Sequence, residues 1–339
     1  MKKSIIVLLV LISGYSGVFA QTDAQFTLFP WASMYYNAGA AGEQSNTLCF
    51  TGIFRQQWTG FTDVYKDENN ILQKDNTSPQ QTLFNLETYS RKIRGAFGIS
   101  FLQDKIAYFK NIGVRLGYAY KLNLPGGKLG IGAQIGFLNS QLDMGKLRPG
   151  QSGDPILVGS SEVSHMDLDF NFGLYYKAER WFAGVSSTQT FGGIRISGDD
   201  IVNLTPQLFI TGGYYWTLPW APSWTIEPQA LIKTDYKSFQ LDLMVLARYN
   251  GILWGGLSYR VQDAVSIAFG ARPFYNSSNN YLKGLDIGLS YGITTSKLGY
   301  TQNRSYGDIE VMVRYCFDIF KEEVFSGYGS TRSIYKNQY

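Results

Sequence analysis

Apolar residues in this chain recur at every second position, over and over, and that period decides what the chain can become. From Gly284 to Ile293, the residues Leu285, Ile287, Leu289, Tyr291 and Ile293 alternate with Gly284, Asp286, Gly288, Ser290 and Gly292. Side chains on a strand point to opposite faces in turn, so one face of this segment is wholly apolar. The same holds for Ile112, Val114, Leu116, Tyr118 and Tyr120, for Leu129, Ile131, Ala133, Ile135 and Phe137, and for Met166, Leu168, Phe170, Phe172 and Leu174. A helix would space its apolar residues three and four apart, and these segments do not.

Carried along the chain, the pattern predicts fourteen strands, near 48–58, 80–89, 95–103, 111–122, 128–139, 166–177, 180–188, 207–218, 224–233, 238–249, 251–260, 264–273, 283–293 and 307–319. An aromatic-rich soluble β-sandwich is the competing architecture. Two features favour a barrel in a membrane. Aromatics make up 16% of the 339 residues, with 24 Tyr, against 17% charged; Tyr and Trp suit the lipid–water boundary. After the first twenty residues no apolar run reaches the roughly 20 residues of a membrane helix, and a chain that spans lipid without helices must close its sheet. The expected fold is therefore an all-β transmembrane antiparallel barrel of about fourteen strands.

Loop lengths set an orientation. In an even-stranded barrel the odd connections face outside and are long; the long ones here, 59–79, 140–165, 189–206 and 294–306, all fall on odd positions. Even connections include the tight Asn250-Gly251, Pro125-Gly126-Gly127 and Ala178-Glu179. Both termini are then expected in the periplasm. Lys2 and Lys3, the apolar run Ile5 to Ile12 and Val18-Phe19-Ala20 read as a secretory signal peptide over 1–20. The expected division is a signal peptide 1–20, a periplasmic N-terminal segment 21–47, a barrel 48–319 and a periplasmic tail 320–339, in a Gram-negative outer membrane. Of 30 basic residues two lie in the leader, leaving 28 against 26 acidic; that balance gives no reason to expect nucleic acid as a partner.

With the apolar face in lipid, Arg115, Lys121, Lys177, Asp167, Asp169, Asp242, Arg248 and Asp286 line the lumen together with Gly, Ala, Ser and Asn. Such a lumen is a water-filled passage or a plugged, solvated interior. His165, the one histidine, stands between Ser164 and Asp167 and is the sole seed of a Ser–His–acid hydrolase; a polar residue where a loop enters a strand is the simpler reading. Asp63, Asp67, Glu68, Asn69 and Asn70 carry oxygen ligands without the loop spacing that calcium sites use, Asp199-Asp200 is weaker, and the glycines form no phosphate cradle because no helix follows them. No catalytic residue, metal or cofactor is expected. Cys49 opens the first strand and Cys316 ends the last, on the inward face of neighbouring strands. They are expected close together, as two buried thiols in the simpler case or as a disulfide across the seam in an oxidising compartment.

Specific strings add a family resemblance. Arg55-Gln56-Gln57-Trp58-Thr59-Gly60-Phe61, then Pro79-Gln80-Gln81-Thr82, Gly117-Tyr118-Ala119-Tyr120, Gly184-Val185-Ser186, Trp254-Gly255-Gly256-Leu257-Ser258-Tyr259-Arg260, Tyr291-Gly292-Ile293-Thr294-Thr295-Ser296-Lys297-Leu298 and Glu310-Val311-Met312-Val313-Arg314-Tyr315 resemble, in order, the segments of the PorP/SprF family of type IX secretion membrane proteins. Where that family usually shows Asn-Pro-Ala-x-Ala-Gly, this chain has Asn37-Ala38-Gly39-Ala40-Ala41-Gly42, without the proline.

The resemblance implies a non-enzymatic outer-membrane component of the secretion and gliding machinery in Bacteroidetes-like bacteria. Its partners would be outer-membrane lipid, together with periplasmic lipoproteins of the apparatus, a peptidoglycan-binding partner or the C-terminal domain of a large surface adhesin. A porin or uptake channel for a small or apolar ligand is the alternative. Phe325, Tyr328, Arg332, Tyr335 and Tyr339 in the tail are the expected partner-binding residues, as a docking strand or peptide.

Overall fold

The alternation decides which way the sheet faces. In the computed structural model, which describes residues 23–42, 47–66, 70–90, 93–147, 162–198, 204–277, 282–296 and 305–318, Ile287, Leu289, Tyr291 and Ile293 are exposed while Asp286 and Ser290, at the alternate positions, are buried. Phe84, Phe97, Leu116, Phe137, Phe172, Val245 and Phe269 join the exposed apolar set. An apolar surface this extensive fits hydrocarbon, not water.

The strands are β1 (Thr47–Gln56), β2 (Thr62–Lys66), β3 (Leu72–Asn76), β4 (Gln80–Ser90), β5 (Gly95–Ile106), β6 (Phe109–Leu124), β7 (Gly127–Leu142), β8 (Val163–Ala178), β9 (Trp181–Thr188), β10 (Ile194–Gly198), β11 (Gln207–Tyr214), β12 (Trp216–Leu218), β13 (Ala221–Thr234), β14 (Phe239–Tyr249), β15 (Leu253–Arg260), β16 (Ala264–Ala271), β17 (Leu285–Thr294) and β18 (Asp308–Asp318). Leaving out β2, β3, β10 and β12, fourteen strands pair antiparallel with their neighbours; β1 joins β18, and β9 joins both β8 and β11, so the ring closes. Closure satisfies the ladder groups that lipid cannot.

Each expected strand has its counterpart, and the sequence pattern missed three smaller pieces. Residues 59–79, expected as loop, contain the β2–β3 hairpin, turned at Asn70 with φ 63. β10 lies in the 189–206 connection and continues the ladder of β8 beyond the end of β9. The expected strand 207–218 breaks at Tyr215, whose N–H donates to the Arg180 carbonyl, and β12 then pairs with β13 through an irregular register. Between β14 and β15 the turn is as the residues dictate: Asn250 and Gly251 both have positive φ, the backbone of a type I′ hairpin.

Thr47 pairs with Asp318, so the barrel begins and finishes at one end, and the strand ends that flank the four long connections lie at the other. The parity argument holds for these strand ends. It does not hold for the segment ahead of β1. Residues 21–47 were expected as a separate periplasmic segment; Asp23–Gly42 is instead packed inside the barrel, because its apolar side chains find their partners on the inward wall. Asp23 bonds Gln207 and Thr188 at the long-loop end, and Gly42 bonds Glu87 at the opposite end. The chain therefore runs through its own lumen before it enters β1.

Cys49 and Cys316 are register partners across β1 and β18, with Cα atoms 4.1 Å apart, and they form a disulfide. The expectation of two separate thiols is corrected: facing positions on paired strands bring their sulfurs together.

Candidate functional site

Nineteen residues, Ala24 to Gly42, carry no charge and five aromatics, so they need an apolar enclosure. They form three short turns rather than a helix: a 3-10 turn Phe29–Ala32 with Pro30 early in it, a helical turn Ser33–Tyr36, and a 3-10 turn Ala38–Ala40 whose Gly39 N–H donates to the Asn37 side chain at 2.8 Å. Phe26, Leu28 and Ala32 are fully buried, and Phe29, Met34 and Tyr35 nearly so. Each large apolar side chain removed from water contributes about 2 kcal/mol.

The wall holds this plug by charge on one side. Arg55, fully buried, donates to the Gln25 carbonyl at 2.6 Å and pairs with Asp308 at 2.7 Å and Glu310 at 3.8 Å. Glu310 accepts the backbone N–H groups of Thr27 and Leu28, one on each oxygen, both at 2.8 Å. Asp286 accepts indole N–H bonds from Trp31 at 3.2 Å and Trp254 at 2.8 Å, and the two indoles pack 4.5 Å apart. Further round, Arg115 pairs with Asp23 at 3.5 Å and Asp169 at 3.3 Å, with its guanidinium 4.8 Å from the Tyr35 ring. A buried carboxylate is tolerated only when such partners replace its water. Tyr36 donates to the Ala24 carbonyl and accepts from the Phe26 N–H.

Where β7 and β8 face residues 37–39, the opposite wall makes room for the plug by having no side chains. A Cβ placed at Gly130 would collide with the Gly39 carbonyl, one at Gly132 with Ala38, and one at Gly173 with the Asn37 side chain. Polar contacts finish the seat: Asn37 Nδ2 donates to the Leu174 carbonyl at 2.9 Å, Ser186 to the Tyr36 carbonyl at 2.7 Å, and Lys121 to the Gly39 carbonyl at 2.8 Å. A cavity of about 270 Å³ remains between the plug and the wall of β8, β9, β11, β13, β14 and β18.

The residues singled out in sequence fall variously. All eight expected lumen residues point inward, and Arg115, Lys121, Asp169 and Asp286 touch or pair with the plug. Charge reading missed Arg55, Asp308 and Glu310; their signal was a charged residue on an otherwise apolar strand. His165 is buried 3.3 Å from Asp167, which also holds Arg195 at 2.6 Å, but Ser164 lies on the other face of β8, so no Ser–His–acid relay is assembled. Asp63 accepts the Tyr108 hydroxyl; Asp67, Glu68, Asn69, Asp199 and Asp200 lie outside the described residues. Among the described residues no group of three His, Cys, Asp or Glu gathers as a metal site would require. The signal peptide and Phe325, Tyr328, Arg332, Tyr335 and Tyr339 also lie outside the described residues.

A closed fourteen-stranded ring with an apolar belt, filled by its own N-terminal segment, defines a plugged outer-membrane β-barrel. Its fold is similar to that of a deltaS2S3 mutant of the monoaromatic hydrocarbon channel TodX, with a TM-score of 0.50 and 11% identity over 85% of this chain and 94% of that one. The toluene transporter TbuX of Ralstonia pickettii is similar at a TM-score of 0.48 and 14% identity, over 88% of this chain and 95% of that one. At such identities the likeness is one of fold. The model of the type IX secretion system membrane proteins PorP/SprF matches residues 18–315, and the chain belongs to that family. No curated protein matches the sequence.

Proposed function

We propose that this barrel is a non-enzymatic anchor of the type IX secretion and gliding machinery, holding part of the apparatus or a secreted surface adhesin by protein–protein contacts. The observation that carries this reading is the occupied lumen: residues 23–42 are fixed by buried ion pairs and backbone contacts on both walls, an arrangement that favours holding over conducting. In this reading the long connections face outward and the end shared by Thr47 and Asp318 faces the periplasm. Periplasmic lipoproteins of the apparatus, a peptidoglycan-binding partner or the C-terminal domain of a large adhesin would then meet the short turns and the tail, with Phe325, Tyr328, Arg332, Tyr335 and Tyr339 as the docking residues.

Purification from the native membrane should bring down components of the secretion system, and removal of residues 321–339 should release them. Undiminished co-purification after that deletion would sink the docking role of the tail. A second reading, an uptake channel for a small or apolar ligand, draws on the aromatic cavity and on the hydrocarbon channels that share the fold. Planar-bilayer recording separates the two: silence is expected of an anchor, and steady channels would favour uptake.

A further inference from the structure

The cavity between the plug and the wall has a polarity gradient along the barrel axis. Its inner part is apolar, with Phe29, Tyr36, Phe209, Leu231 and Leu246, and Tyr36 and Phe209 lie ring to ring at 5.3 Å. Toward the end where β18 finishes the lining is cationic: Lys177, Arg248 and Arg314, against Glu227 alone among the described carboxylates. Arg248 is engaged with Glu227 at 3.0 Å and Arg314 with Glu87 at 3.2 Å. The excess of positive charge survives a wider count. Among the described residues, adding Lys121 and Arg272 on one side and Glu87 and Asp286 on the other gives five cations and three carboxylates at this end. Arg314 Nε is buried and has no hydrogen-bond partner. A buried guanidinium donor without a partner is costly, and a carboxylate is the acceptor that a guanidinium fork fits best.

We propose that this cavity binds an amphipathic carboxylate, its apolar or aromatic body against Phe209, Leu246 and Tyr36 and its anionic head at Arg314, with Lys177 and Arg248 beside it. At about 30 Å³ for each water-sized unit, 270 Å³ takes a body of about nine non-hydrogen atoms. A free arylalkanoate and the carboxylate of a peptide ending in an aromatic residue share this chemistry. The inference is independent of the anchoring role and of conduction.

Calorimetric titration of the full chain in a non-ionic detergent tests it, with two pairs of probes. One pair is 4-phenylbutyrate and its amide; the other is acetyl-Gly-Ser-Ala-Phe as free acid and as amide. Each acid that binds should do so about tenfold more tightly than its amide, and the pair with the tighter acid tells whether the ligand is free or a chain end. Arg314→Gln should remove that preference. Because Arg314 also pairs with Glu87, a second variant, Thr211→Phe, fills the cavity without touching an ion pair and should abolish binding of both acids; compact migration on an unheated gel checks that each variant folds. No heat from either acid, equal binding of acid and amide, or unchanged binding to Thr211→Phe overturns the proposal.

Discussion

The two walls of the lumen hold the same plug by opposite means. On the seam side, β17, β18 and β1 present Asp286, Asp308, Glu310 and Arg55, and the plug is gripped through hydrogen bonds to charged groups. On the far side, β7 and β8 present Gly130, Gly132 and Gly173, and the plug's backbone lies directly against theirs. Inward smallness and inward charge are thus two halves of one fit. The charged wall supplies binding partners, and the glycine wall supplies the space in which they can be reached.

The comparison is broken most severely at Arg55. Arg55→Met leaves Asp308 and Glu310 as buried carboxylates without their cation, and a loss of about 3–5 kcal/mol is expected in denaturant unfolding of the refolded barrel. A loss near zero would mean that the plug is not gripped by charge at all. The disulfide belongs to the same wall. Cys316→Ser should cost about 2–4 kcal/mol, read as a lower unfolding midpoint that matches the reduced parent protein; identical midpoints with and without reductant would show the β1–β18 ladder to be sufficient.

On the glycine wall, Gly132→Val drives a branched side chain into Ala38. About 1–3 kcal/mol of overpacking follows, and the more telling readout is protease access to residues 23–42, which should rise. Protection equal to the parent's would mean that the close approach is slack. The smallest effect is expected at Ser186→Ala, which removes one hydrogen bond to the Tyr36 carbonyl and should cost about 1 kcal/mol. A change much larger than at Gly132 would reverse the assignment of which wall is held by which force.

The barrel was legible because lipid imposes one rule on every strand, and a rule repeated fourteen times survives local exceptions. The period-two runs at 284–293 and 111–121 therefore place their strands within a few residues. The even count and the loop parity brought Cys49 next to Cys316 in advance; only the register could make them direct partners. The plug was not legible, for two physical reasons. Its turns are three or four residues long, too short for any period to show. Its partners are also remote in sequence: Thr27 and Leu28 meet Glu310, 283 and 282 residues away. Its signal was compositional, a charge-free and aromatic stretch ahead of the first strand, and such a stretch reads equally well as a segment lying outside. The inward glycines were read as small, yet what they make room for, Asn37 to Gly39, lies about 90 to 140 residues earlier in the chain.

The route of residues 23–42 through the lumen bears on the order in which the molecule can be put together. A ring already sealed at β1 and β18 would have to admit Phe26, Leu28 and Trp31, stripped of water, through a mouth where the plug itself belongs. A wall that wraps round a segment already lying in its trough meets no such obstacle. Assembly then runs from contents to container, with the Cys49–Cys316 bond as the clasp that sets last. In a refolding time course, oxidation of that pair should trail protection of the plug from protease; oxidation that came first would reverse the sequence of events.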